Sequence, residues 1–227
     1  RTIERQIING DIIYNFGTKS RCTAGFWVTD ADLNNYIVTA GHCIDFNNTT
    51  PDHNRFYMKP LNFSTSDKGL IFSIKDDAIG QMVFYNLKKT DFGLIRITNG
   101  DIKPTRVIRN IDSDPYRQLF IRDREIISTH GAHLCKSGAT TSVTCGYTKS
   151  FEGYHFGNTV TVDLIVTNFL AAIGDSGGPV FYLRDLPFVS LHGITVKAGN
   201  SREWGHLTFT VKADYIIGSA DRIIELG

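Results

Sequence analysis

Three short blocks of this sequence hold side chains suited to attacking an acyl carbon. In the first, Gly174-Asp175-Ser176-Gly177-Gly178-Pro179, a serine stands among glycines. A serine hydroxyl is a poor nucleophile at neutral pH unless a base stands beside it. The glycines let the backbone turn tightly, so the amides of Gly174 and Ser176 can converge on the oxyanion formed when a carbonyl is attacked. Taken alone, the cluster also fits an ordinary glycine-rich turn. The second block, Thr39-Ala40-Gly41-His42-Cys43, offers the base. Imidazole titrates near neutrality and can take the serine proton, then return it to a leaving amine. Any single one of the seven histidines is by default structural, and His42 is set apart by the strand-like lead-in and the cysteine beside it. The third block, Thr90-Asp91-Phe92-Gly93-Leu94-Ile95, places a carboxylate at the head of an apolar run. There it could fix the imidazole tautomer and stabilise the imidazolium. A solvated turn aspartate is the plain alternative. Asp-Phe-Gly also matches a kinase magnesium motif, but no glycine-rich phosphate loop or His-Arg-Asp segment accompanies it.

The elements that must bring these blocks together read as strands. Short runs rich in Val, Ile, Thr, Phe and Tyr recur between turn signals: Gly25–Thr29, Tyr36–Thr39, Gly93–Ile97, Thr159–Asp163, Val180–Leu183 and Leu207–Val211. Regular spacing of such runs, punctuated by 21 glycines, indicates an all-β sandwich or barrel. One stretch differs. From Asp214 to Leu226 the apolar residues fall near helical spacing, which predicts a short closing helix despite Gly218. The polar turn Asn110–Pro115 divides the chain into two β-modules, residues 1–111 and 112–227.

Composition narrows the function classes. The 227 residues carry 24 Lys+Arg against 23 Asp+Glu, a net charge of +1, so no basic excess exists to neutralise a phosphate backbone. No apolar run is long enough to span a bilayer, and the charged opening Arg1–Arg5 lacks a signal-peptide core. Cys22, Cys43, Cys135 and Cys145 form two sequence-local pairs without any CxxC spacing, which disfavours zinc. Two disulfides fit better, although free buried thiols satisfy the composition equally. Sequons at Asn47, Asn48 and Asn62 agree with a secretory route and an oxidising compartment.

The order His42, Asp91, Ser176 with these flanks resembles the chymotrypsin family of serine proteases. More narrowly it is similar to the streptogrisin and α-lytic protease branch. The segment Leu134-Cys-Lys-Ser-Gly-Ala-Thr-Thr-Ser-Val-Thr-Cys145 is similar to that branch's Cys-(Arg/Lys)-Ser-Gly-x-Thr-Thr signature, and Cys22 ahead of Gly25-Phe26 agrees with it. The resemblance implies two Greek-key antiparallel β-barrels with a cleft between them, closed by a short C-terminal helix. His42 and Asp91 would stand on the first barrel and Ser176 on the second. It implies Ser176 as nucleophile, His42 as general base and acid, Asp91 as orienter, and the Gly174 and Ser176 amides as oxyanion hole. It also implies Cys22–Cys43 and Cys135–Cys145 disulfides, no metal or cofactor, and secretion as a monomer. Its partners would be a polypeptide substrate and a protein inhibitor, not nucleic acid or membrane. Six residues precede Ile7-Ile8-Asn9-Gly10, so the freed amine that animal relatives pair with the aspartate before the serine is not at Ile7. The bacterial branch uses a basic residue after the third cysteine, which implies a Lys136–Asp175 ion pair.

The sequence also departs from the family. No cysteine remains for a third disulfide. Val196 falls where a serine usually reaches the buried aspartate, with Thr195 as the alternative one residue away. The expected substrate pocket runs along Leu170, Ala171 and Ala172 on one wall and Thr195, Val196, Lys197 and Ala198 on the other. No acid lies at its base, so an apolar P1 residue (the one whose carbonyl is attacked) is expected rather than Lys or Arg, because an unpaired buried cation is costly. Lys197, His192 or His206 would instead suit an acidic P1, as in glutamyl-specific relatives. Two rival functions share these residues. Gly174-x-Ser176-x-Gly178 also fits the nucleophile elbow of an α/β-hydrolase esterase, but Pro179–Leu183 reads as strand where that elbow needs a helix. A protease-like scaffold used only for binding is the other.

Overall fold

The computed structural model describes residues 5–50, 52–58, 78–125, 127–156, 160–219 and 223–226. The first half of the chain supplies β1 (Arg5–Gln6), β2 (Ile12–Asn15), β3 (Arg21–Thr23), β4 (Trp27–Asp30), β5 (Asn35–Thr39), β6 (Arg55–Met58), β7 (Ala78–Asn86), β8 (Phe92–Ile97) and β9 (Ile102–Lys103). The second supplies β10 (Val107–Arg109), β11 (Gln118–Arg124), β12 (His133–Gly138), β13 (Ser142–Phe156), β14 (Val160–Thr167), β15 (Pro179–Leu183), β16 (Phe188–Ser201), β17 (Gly205–Lys212), the helix α1 (Ala213–Ser219) and β18 (Ile223–Leu226).

These strands make two large curled sheets. One has the order β18-β4-β5-β8-β7-β6-β2-β3. The other runs β10-β11-β16-β15-β12-β13-β14-β17, and an additional β16–β17 pairing closes six of its strands into a ring. The pairings are antiparallel, apart from β11 against β16 and the small β1–β9 pair. Each expected strand overlaps an observed one, although Gly25 and Phe26 precede β4 and Thr159 falls outside the described residues. The architecture is the double β-barrel that the resemblance implies. The chain passes into the second sheet at Val107, a few residues before the Asn110–Pro115 turn.

The C-terminal expectation needs correction. Helix covers only Ala213–Ser219, and Ile223–Leu226 pairs antiparallel with β4 of the first sheet. Residues 223–226 read as part of a helical stripe because two adjacent isoleucines serve either period. The chain end thus ties the second half back onto the first.

Apolar residues that alternate along the strands fill the interior. Phe26, Trp27, Phe56, Phe92 and Phe181 are buried to 1% exposure or less, each worth roughly 1.5–3 kcal/mol when removed from water. Trp27 retains a partner for its indole N–H, which donates to the Ile7 carbonyl at 3.1 Å. Both disulfides are present, Cys22–Cys43 and Cys135–Cys145, spanning 21 and 10 residues. Loop closure of that size contributes about 3 kcal/mol on the chain-entropy account. Asn47 and Asn48 are exposed on the loop after His42, and Asn62 lies outside the described residues.

Candidate active site

The register between β5 and β8 decides where the first two candidate side chains meet. Thr39 lies opposite Gly93, so the end of β5 adjoins the beginning of β8. Past Thr39 the chain makes one 3₁₀ turn, Gly41–Cys43, which turns the His42 backbone N–H toward Asp91 Oδ1 at 2.9 Å. The second carboxylate oxygen lies 2.7 Å from His42 Nδ1, and His42 Nε2 lies 2.9 Å from Ser176 Oγ. If Nδ1 carries the proton toward Asp91, Nε2 is left as acceptor for the serine hydroxyl. Asp91 is 2% exposed, whereas the His42 side chain is one-third exposed at the cleft. Neither residue expected to replace the family's serine reaches the carboxylate. Val196 has no donor, and the buried Thr195 hydroxyl makes no hydrogen bond among the described residues.

Ser176 comes from the other sheet, in the turn between β14 and β15. Gly174 and Gly177 adopt φ of +102° and +90°, which other residues rarely hold. At Gly177 a Cβ would also stand 2.1 Å from Thr39 Oγ1, so only glycine lets the serine turn approach β5. That approach is bonded on several sides. The Thr23 amide donates to Ser176 O at 2.8 Å, the Thr23 hydroxyl donates to Gly174 O at 2.7 Å, and the Gly177 amide donates to Thr195 O at 2.7 Å. Thr39 Oγ1 in turn donates to Thr23 O at 2.9 Å. The Cys22–Cys43 bridge joins this same β3 to the turn holding His42. Ser176 and His42 are therefore held against each other from opposite sheets. Among the described residues, the amides of Gly174 and Ser176 donate to no protein acceptor.

Asp175 points away from the cleft into a fully buried nest. Its Oδ1 accepts from the Thr140 and Thr141 amides at 2.8 and 3.1 Å, and its Oδ2 from the Ala172 amide at 2.9 Å and the Thr141 hydroxyl at 2.6 Å. Lys136, also fully buried, lies 3.6 Å from Oδ2 and donates instead to Thr141 Oγ1 at 2.5 Å and Ser142 O at 2.8 Å. Thr141 thus relays between the two charges. Burial alone would raise the Asp175 pKa, but the Thr141 hydroxyl, the Lys136 ammonium and the two amides outweigh it and hold the carboxyl below its ordinary value. Burial wins for Lys136, whose pKa is pushed down to about 8 against the pull of Asp175.

A cleft opens over Ser176 and His42, lined by the expected Ala171, Ala172, Thr195, Val196, Lys197 and Ala198. Leu170, expected with them, is not among the lining residues; it is exposed, and its carbonyl accepts from Thr144 Oγ1 at 2.6 Å. His192 also lies elsewhere, buried with Nδ1 2.9 Å from the Glu125 carbonyl. His206 lines the cleft, but its Nε2 accepts the Ala171 amide at 3.1 Å while Nδ1 stands 3.1 Å from Asn200 Oδ1, so both ring nitrogens already have protein partners. The cleft further contains Arg21, Thr140, Ile173 and His155, which sequence reasoning missed. Thr140 and Thr141 were within reach, since they sit inside the Cys135–Cys145 signature; nothing local marks His155.

The esterase alternative fails on the fold, because Pro179–Leu183 is a strand of an antiparallel sheet. Comparisons with known proteins agree with the geometry. Residues 13–216 match the family model described as Trypsin. Serine protease 1 of Streptomyces fradiae is 26% identical over 78% of this chain, which spans 42% of that protein's length. Serine protease 2 of the same organism is 27% identical over 77% of this chain and 87% of its own. The crystal structure of Thermobifida fusca Protease A superposes with a TM-score of 0.70 at 22% identity, covering 98% of this chain and all of the other. A protease described as specific for glutamic acid through a histidine triad gives 0.71 at 22% identity over 96% of this chain and all of its own. With the double-barrel fold and the family model agreeing over most of its length, the chain belongs to the trypsin family of chymotrypsin-like serine proteases.

Proposed function

We propose that this protein is a secreted serine endopeptidase that cleaves polypeptides through an acyl-enzyme. The observation that carries this reading is the unbroken series from Asp91 through His42 to Ser176, at 2.7 and 2.9 Å. His42 takes the Ser176 proton as Oγ attacks the carbonyl, and the buried Asp91 steadies the imidazolium. The free Gly174 and Ser176 amides hold the oxyanion; His42 then returns its proton to the leaving amine, and water repeats the sequence on the ester. Two disulfides support an oxidising compartment. Reaction with a peptidyl phosphonate should modify Ser176 alone, read by peptide mass mapping, and the same protein should cleave peptides. Unmodified Ser176, or modification without turnover on any peptide, overturns the reading.

For P1, the apolar reading is the better supported. Ala171, Ala172, Val196 and Ala198 line the cleft beside Ser176, and no carboxylate is among its lining residues to receive Lys or Arg. The histidine route to acidic P1 lacks support here, because His192 is buried elsewhere and both His206 ring nitrogens are engaged by Ala171 and Asn200.

Lys136 and Asp175 hold the turn that presents the two oxyanion amides. Lys136 titrates near 8, below its ordinary 10.5. Between those values the unfolded chain binds the extra proton, so this group adds stability as pH rises and gives no alkaline unfolding of its own. Loss of the charge should instead loosen the turn. We expect kcat/KM to fall by about fivefold above pH ~8, the factor given by about 1 kcal/mol of lost interaction. Lys136→Arg, which keeps its proton, should remove that limb from the pH–rate profile. An unchanged limb would exclude Lys136 as its source.

A further inference from the structure

Two cationic side chains line the cleft, Arg21 and Lys197, and the reacting residues use neither. Lys197 follows Val196 on β16, where the pairing with β17 shifts register between Thr195 and Lys197. Both line the cleft, Val196 at 1% exposure and Lys197 half-buried. Its Nζ lies 3.1 Å from His155 Nδ1, on the hairpin of β13 and β14. The His155 ring is seated edge-on against Phe209, with centroids 5.7 Å apart at 77°. That hairpin reaches the first sheet, where the Val162 amide donates to Lys89 O at 2.9 Å, close to Asp91. Burial and the Lys197 charge hold the His155 pKa down while Asp91 pulls it up, and His155 and Lys197 line the same cleft as His42.

The ammonium has three N–H donors and the neutral imidazole takes one. Arg55, Arg117, Arg124 and Lys136 each have a carboxylate partner. Lys197 has none among the described residues, and no carboxylate is among the residues lining the cleft. With Nδ1 accepting, His155 carries its proton on Nε2 and offers a second donor. Covering such a cation with substrate is costly unless the substrate brings the opposite charge. A place for that segment exists. Beyond Ile194, β16 is paired only by β17, because its pairing with β15 ends at Pro179–Ile194. Thr195 is still bonded to Gly177 and Gly178, and the edge beyond it, at residues 196–199, can take an extended peptide as an added strand.

We propose that Lys197 and His155 form a subsite for an acidic side chain at one of the three substrate positions preceding P1. The assignment rests on the peptidase reading above. The test uses peptides with one shared apolar P1 and Glu, Gln or Lys at each of the three positions in turn. At one position Glu should exceed Gln in kcat/KM by about fivefold to tenfold at low salt, and the ratio should shrink as salt screens the pair. Lys197→Met should bring that ratio to about one, and Lys197→Glu should invert it in favour of Lys. His155→Phe, which keeps a ring against Phe209, should lower the ratio only in part. The ratio is read within each variant, so a general loss of active protein cancels. Equal turnover of Glu and Gln peptides by the unaltered protein, or a ratio that survives Lys197→Met, overturns the subsite and leaves the peptidase reading standing. No cleavage of any peptide overturns both.

Discussion

Ser176→Ala is expected to lower kcat by about 10⁶-fold, the scale seen when one member of a serine triad is removed. The protein should remain folded. Among the described residues Ser176 Oγ has one protein partner, His42 Nε2 at 2.9 Å, so its loss removes a single partly solvated hydrogen bond worth about 1 kcal/mol. The rest of the turn is held by backbone contacts that alanine preserves: the Thr23 amide on Ser176 O, and the Thr23 hydroxyl on Gly174 O. The Gly174 and Ser176 amides persist as well, so a residual rate of about 10³–10⁴ over water should survive from oxyanion binding alone. Adding His42→Ala should then cost almost nothing more, because a base without its nucleophile has no proton to take. Steady-state turnover of one peptide by the single and double variants decides it. Additive losses would mean the two side chains do not act as a unit, and a loss under a hundredfold would remove Ser176 as nucleophile.

The candidate site is legible in the sequence because its residues are compressed into short blocks. Thr39–Cys43, Thr90–Ile95 and Gly174–Pro179 each pair a reactive side chain with the backbone that presents it, and β-rich runs bounded by glycine foretold the strands. What stayed hidden depends on register and distance along the chain. Leu170 sits beside Ala171 in sequence, yet it turns to solvent as its carbonyl takes the Thr144 hydroxyl. His155 enters the cleft only because a long hairpin folds back over it toward Lys197. The end of the chain misleads for a related reason. Ile223 and Ile224 continue a helical stripe, but the partner that makes them a strand is β4, nearly two hundred residues earlier. The family resemblance implies the Lys136–Asp175 pair, which lies 3.6 Å apart, whereas the Thr141 hydroxyl standing between them is visible only in three dimensions.

The proposed orienting carboxylate, Asp91, gives the second large effect. Asp91 accepts twice from His42, from the ring at Oδ2 and from the backbone at Oδ1, and is nearly sealed from water. Asparagine has the same shape but one oxygen and one NH₂. If its oxygen faces Nδ1, its NH₂ meets the His42 backbone N–H, donor against donor in a buried place. If its NH₂ faces Nδ1, the ring must accept there, the proton moves to Nε2, and the base presents a donor to the serine hydroxyl. The second arrangement keeps every buried group bonded and should prevail. Asp91→Asn is therefore expected to fold like the unaltered protein and to lose about 10⁴-fold in kcat, the loss this substitution gives in the archetype of the triad. Nitrogen-15 NMR of the His42 ring should find the proton on Nε2, in place of Nδ1 before the change. A loss under tenfold, or an unchanged tautomer, would show that Asp91 does not orient His42. The tautomer is the decisive readout, since a carboxylate that merely braced the β5–β8 junction would leave it where it was.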